Sequence, residues 1–333
     1  MTRASTDVTT RPHADVPPGP RAGAPTAVPG LEIRRPFTRA DALAAGISPK
    51  QLRGSRFRRI FTGVYVDARV PDHPLIRAQA ALVLHPPTAF ASHVSAARVY
   101  GLPLPLHPDE HVTVIRAGER SRRAGIRCHV GPDDDVVEVS GVRVSGPERM
   151  FVELASVLSL VDLVVVGDAL VRMRRATPEG LVRACRASAD RYATAAARAA
   201  AYVRKEVDSP MESRLRMLLV LAGLPEPEVN HKLRDAYGHV TRRFDLSYPR
   251  VRLIVEYDGR QHVEVRDNWG ADLERREEFD DDEWRILVVT SEGIYRRPEV
   301  TVARVHRQLR VRGWRGLPAR TSDAWRPFFP GRR

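Results

Sequence analysis

Asp245-Leu-Ser-Tyr-Pro-Arg-Val-Arg-Leu-Ile-Val-Glu256-Tyr-Asp258-Gly-Arg-Gln-His262 is the stretch that decides how this chain is read. Side chains alternate faces along a strand, so Glu256 and Asp258 emerge on one side while Leu253, Val255 and Tyr257 take the other. Asp245 lies near the end of the preceding strand, and a hairpin through Pro249 brings it beside Glu256. Like charges held together repel, and a hard divalent cation with oxygen ligands relieves the repulsion. The expectation is a Mg²⁺ or Mn²⁺ site on Asp245 and Glu256, with Asp258 beside it. Such a cation lowers the pKa of a bound water and stabilises charge developing on phosphorus.

The elements around this stretch follow from caps and periodicity. Ser209 caps a helix with Pro210 in its first turn and Glu212 at the third position, and Leu215, Leu218, Leu219 and Leu221 give it an apolar face. Strands are expected at Val229–Leu233, Thr241–Ser247 and Val251–Asp258, a helix at Asp272–Asp282, a strand at Arg285–Thr290 and a last helix at Pro298–Arg310. The order is α-β-β-β-α-β-α.

At this point the segment over residues 208–310 resembles the PD-(D/E)XK nuclease superfamily. Within it the likeness is closer to the domain family numbered 559 among domains of unknown function, related to very-short-patch-repair endonucleases. The residues that carry the likeness are Ser209-Pro210-Met211-Glu212, Ala222-Gly223-Leu224-Pro225, Asp245, Glu256-Tyr257-Asp258-Gly259, His262, Asp272 with Arg275, and Trp284-Arg285-Ile286-Leu287. The resemblance implies Asp245 and Glu256 as metal ligands, Glu212 as a further acid, and His262 for proton transfer or phosphate contact. Asp258 stands where the superfamily's lysine would be; the repair endonucleases lack that lysine too, carrying histidine there.

Toward the N-terminus, Thr38 caps a helix with Asp41 at its third position. After Gly46, Ser48 caps a second helix with Pro49 at its first position. Residues 57–66 alternate apolar and basic around Gly63, as in a two-stranded hairpin. Helix-turn-helix plus hairpin is a winged-helix pattern. In such a unit the second helix enters the major groove, so Ser48, Lys50, Gln51, Arg53 and Arg56 are expected to contact DNA, with Arg58 and Arg59 on the wing reaching phosphates. Phe37-Thr38-Arg39, Gly46-Ile47-Ser48, Gly63-Val64-Tyr65 and the later Val144-Ser145-Gly146-Pro147-Glu148-Arg149 are similar to the AbiEi family, antitoxins of abortive-infection systems. That similarity covers about residues 35–175 and implies DNA and a cognate toxin as partners.

Between these parts, helices are expected at Pro74–Leu84, Ser92–Tyr100, Pro147–Leu158 and Val161–Met173, with strands at His111–Ile115, Ile126–Val130 and Val142–Ser145. His85 and His93 have no partner at metal-ligand spacing and read as ordinary histidines. Cys128 and His129, adjacent on a strand, face opposite ways. The Ala- and Arg-rich stretch Ala184–Val207 reads as a connector helix.

The organisation is therefore a disordered leader over residues 1–34, a winged helix over 35–72, a mixed α/β middle region over 73–180, a connector over 181–207, the nuclease-like domain over 208–310 and a basic tail over 311–333. That tail reads either as a disordered arm or as a strap over the domain.

Composition bounds the rest. The 333 residues carry 54 Lys+Arg against 41 Asp+Glu, a formal net charge of +13, so a polyanionic partner is expected. The best apolar run, Leu158–Val166, is broken by Asp162 and is too short to span a membrane. Residues 1–30 hold no apolar signal core, and Cys128 and Cys185 form no CxxC pair, so the expectation is a reducing cytoplasm and no structural zinc. Two functional readings follow: a Mg²⁺-dependent endonuclease delivered to DNA by the winged helix, or a non-catalytic antitoxin-like regulator that keeps the nuclease fold as a binding platform. Nothing in the sequence distinguishes a DNA backbone from RNA.

Overall fold

A computed structural model of the chain describes residues 30–234, 237–259 and 284–331. The leader before residue 30, the expected helix Asp272–Asp282 and His262 lie outside the described residues. Among the described residues the architecture is mixed α/β with three sheets.

The N-terminal unit is β1 (Phe37–Thr38), α1 (Arg39–Ala44), α2 (Pro49–Leu52), β2 (Phe57–Phe61) and β3 (Val64–Asp67), with sheet order β1-β3-β2. Both helices start on reciprocal capping boxes. Thr38 Oγ1 accepts the N–H of Asp41, whose carboxylate accepts the N–H of Thr38; Ser48 and Gln51 do the same. Each box satisfies two backbone donors that a helix start leaves unpaired. Gly63, with φ +79°, turns β2 into β3. Ile33, Phe37, Ala42, Ile47, Leu52 and Phe57 form a small core of their own, with the rings of Phe37 and Phe57 edge to face at 5.5 Å.

The middle region comprises α3 (Pro74–Leu82), β4 (Phe90–Ala91), α4 (His93–Val99), β5 (Glu110–Val114), β6 (Ile126–Val130), β7 (Val136–Val139), β8 (Val142–Ser145), α5 (Pro147–Leu154), α6 (Leu160–Arg172), α7 (Pro178–Ala187) and α8 (Ala193–Ala200). Its sheet runs β6-β5-β4-β8-β7, with β5 and β6 parallel and β4 parallel to β8.

The expected connector helix is not one helix. Ser188 leaves the helical path with ψ 134°, and the N–H groups of Asp190 and Tyr192 turn to the side chains of Ser188 and Asp190. Short polar side chains compete for backbone donors and end the helix there. The result is α7 and α8 packed against each other, burying Leu181, Cys185, Ala196 and Ala199 in the main core.

The C-terminal part is α9 (Pro210–Leu221), β9 (Glu228–Arg234), β10 (Val240–Tyr248), β11 (Leu253–Asp258), β12 (Arg285–Thr290), α10 (Ser291–Tyr295) and α11 (Pro298–Val311). Its sheet order is β12-β11-β10-β9: an antiparallel meander, then β12 parallel to β11. A 3-10 turn at Pro249–Val251, closed by Arg252 at φ +49°, joins β10 to β11, so β11 begins at Leu253 rather than at Val251.

One hydrophobic core runs from α4–α8 through α9 to α11, and α6 packs directly on α9. The tail is a strap: Trp325 and Phe329 are buried in that core, and the N–H of Ser322 bonds to the carbonyl of Ala222 at 2.8 Å. Among the described residues no helix is long and apolar enough to cross a membrane.

Candidate functional site

The acids of the C-terminal sheet are positioned by a break in its ladder. β10 and β11 pair through Tyr248↔Leu253, Ser247↔Ile254 and Leu246↔Val255. One step further the regular pairing stops, and the Asp245 carboxylate accepts the backbone N–H of Tyr257 at 3.0 Å. That bond sets the Asp245 carboxylate against β11, at the residue next to Glu256.

Asp245 is half-buried. Burial raises its carboxyl above the usual carboxylate range, the Tyr257 N–H lowers it, the charge of Asp208 raises it again and Arg243 lowers it. Glu212, buried in the first turn of α9, is also raised, chiefly by burial, with Asp245 and Asp208 adding to it; bonds from Ser209 and the Asp208 N–H pull it down. Its Oε2 accepts that N–H at 3.0 Å. Asp208 in turn accepts bonds from Arg243 and from Asn230, whose backbone is left-handed at φ +52°. The structure thus joins Asp245 to Glu212 and adds Asp208, which sequence reading missed; its only signal was an acid directly before the cap Ser209.

Glu256 is half-buried and Asp258 exposed at the end of β11, beside Val288 and Thr290 of β12 in parallel register. Among the described residues, no three carboxylates bring their oxygens within 4.8 Å of one another; the one group of three potential ligands that close is His93, His111 and His129.

The basic residues of the N-terminal unit divide into two sets. Lys50, Arg53, Arg56 and Arg59 are exposed. Ser48 and Gln51 are engaged in their capping box. Arg58, expected on the wing, is half-buried and turned inward: it donates to the carbonyl of Val70 at 3.1 Å and lies 3.5 Å from Asp72.

The three histidines reverse the reading of His93 as a residue without partners. Its ring stacks on that of His129 at 3.9 Å and lies 5.2 Å from that of His111. Burial holds all three below the ordinary histidine range, His93 well below it, His111 at about 3 and His129 at about 4, with the other histidines and nearby arginines adding to the effect. His85, by contrast, bonds to the Ala81 carbonyl and the Ser121 hydroxyl, an ordinary satisfied histidine.

No family model matches the chain. Two uncharacterized proteins of Mycobacterium tuberculosis, from strains CDC 1551 / Oshkosh and ATCC 25618 / H37Rv, are each 27% identical to it over 262 residues. The match spans 78% of this chain and 94% of each relative, so the likeness extends over most of both chains.

Proposed function

We propose that the chain binds DNA through its N-terminal unit, acting as a winged helix, and hydrolyses phosphodiester bonds in its C-terminal domain with Mg²⁺ or Mn²⁺. The observation that carries this reading is the bond from the Tyr257 N–H to the Asp245 carboxylate where the regular β10–β11 pairing ends, which sets Asp245 against the Glu256 strand and near the buried Glu212. An α-helix, a three-stranded meander and a fourth strand parallel to the third also fit the nuclease resemblance. The donor set suits a hard cation: all the candidate ligands are carboxylate oxygens, and the burial and neighbouring acids that raise Asp245 and Glu212 are offset by positive charge. Asp245 and Glu256 would hold the ion, which supplies Lewis acidity and an activated water. Glu212 and Asp258 flank them, and His262 remains the candidate for proton transfer or phosphate contact.

Nicking of supercoiled plasmid by the full-length protein with Mg²⁺ tests the proposal. The expected result is Mg²⁺-dependent relaxation that the Asp245→Ala, Glu256→Ala double variant loses. Equal activity in that variant removes the proposed site, and a labelled RNA in a parallel reaction separates the two backbones.

The second reading, a non-catalytic antitoxin-like regulator paired with a cognate toxin, is favoured by one observation: among the described residues, the acids are not gathered into a three-carboxylate cluster. It predicts specific promoter binding that Lys50 and Arg53 substitutions abolish, with no metal-dependent cutting.

A further inference from the structure

We propose that the middle region holds a zinc-class divalent metal ion on the imidazoles of His93, His111 and His129. These residues come from the start of α4, from β5 and from β6, and one ring nitrogen of each lies within 4.8 Å of the other two. His129 Nε2 and His111 Nδ1 are 3.0 Å apart. Metal–nitrogen bonds of about 2.0 Å in a tetrahedron set neighbouring ligands about 3.3 Å apart, so this pair already has nearly the required spacing.

His111 is fully buried, and it is Nδ1, the nitrogen 3.0 Å from His129 Nε2, that would ligate the ion. A further observation concerns the backbone of His93. His93 has a left-handed backbone at φ +48°, a conformation that is strained for a non-glycine residue and persists only where the surroundings impose it.

Here the surroundings are explicit. The His93 N–H donates to Glu153 Oε2 at 3.0 Å, and its Nδ1 lies 3.0 Å from Ser92 Oγ and 3.6 Å from the same Glu153 oxygen. Glu153 is itself fixed by Ser145 and Arg149, each at 2.8 Å. A carboxylate and a hydroxyl behind a histidine are the usual outer support of a metal ligand, setting its ring orientation.

The donor set selects the ion. Three imidazole nitrogens, with no thiolate or carboxylate in the group, suit Zn²⁺ and its neighbours in the first transition row and not Mg²⁺ or Ca²⁺. His93 and His129 also line a cavity of about 820 Å³ that includes Thr113, Arg127 and Arg149. Three protein ligands and an adjoining cavity leave the fourth coordination position to water or an anion. The paucity of cysteine, which argues against a thiolate zinc site, does not bear on an all-histidine one.

Tag-free full-length protein, stripped with chelator, tests the site by titration with Zn²⁺ and by the visible ligand-field spectrum of Co²⁺. The expected result is one Zn²⁺ per chain, a four-coordinate Co²⁺ spectrum and a raised melting temperature on loading. His129→Ala, at a partly exposed position, should weaken Zn²⁺ binding by at least about 100-fold, since loss of a supporting residue alone costs about 10–100-fold. The Asp245→Ala, Glu256→Ala variant should keep full Zn²⁺ stoichiometry, which separates this site from the C-terminal acids. Absence of stoichiometric Zn²⁺ in the wild-type protein, or undiminished binding by folded His129→Ala, overturns the proposal.

Discussion

The guanidinium of Arg216 on α9 lies 2.8 Å from the carboxylate of Asp168 on α6, and Arg216 has no exposed surface. The same carboxylate accepts the Ser213 hydroxyl and the Arg204 N–H, while Arg216 reaches Glu226 at 3.1 Å. This pair ties the middle region to the helix that carries Glu212. Removing Asp168 leaves the buried Arg216 only the partly exposed Glu226 as a partner, and losing one partner of a buried ion pair costs up to about 3–5 kcal/mol. Asp168→Asn is therefore expected to lower the unfolding free energy in urea by that order. The Arg216→Met, Asp168→Leu double variant should lose much less. A loss under about 1 kcal/mol for Asp168→Asn would show that the pair is not buried as described.

Acid sensitivity of the N-terminal unit should trace to Asp67. Its carboxyl is held down at about 2, chiefly by the bonds that Arg69 donates at 2.6 and 2.9 Å. A depressed carboxyl stabilises the fold above the ordinary aspartate range, and the contribution is lost as pH falls from there toward 2. Thermal melts between pH 5 and pH 2 should show a steeper loss for wild type than for Asp67→Asn. Parallel curves would remove the assignment.

Salt dependence separates the basic residues that face outward from those that do not. Each phosphate contact adds roughly one unit to the slope of log affinity against log salt. Lys50→Ala, Arg53→Ala and Arg59→Ala should each lower that slope by about one. Arg58→Ala should leave it unchanged, because that guanidinium is tied to Val70 and Asp72. Ser48→Ala should cost about 1 kcal/mol of stability through the lost cap and leave the slope alone. An altered slope for Arg58→Ala alone would place the nucleic-acid surface elsewhere.

Features set by near neighbours in the chain were legible. The capping residues Thr38, Ser48 and Ser209, the strand Ile126–Val130 and the alternation around Glu256 need only local chemistry, and the structure has each of them. Features set by distant pairing were not. The two-residue strand Phe90–Ala91 exists because β5 and β8 flank it, and nothing in two residues announces a strand. His111 and His129 are 18 positions apart and meet because parallel β5 and β6 run side by side; their alternation places both on one face, but only the sheet order makes that face shared with His93. Asp208 escaped notice because its role depends on Arg243 and Asn230, residues of strands that fold back on it.

Trp325 and Phe329 complete a core whose other members begin with Ala78. During synthesis the ribosome releases those two rings after nearly every helix and strand they pack against has already emerged. The final interior surface therefore stays open to chaperones and proteases until residue 329 clears the exit tunnel.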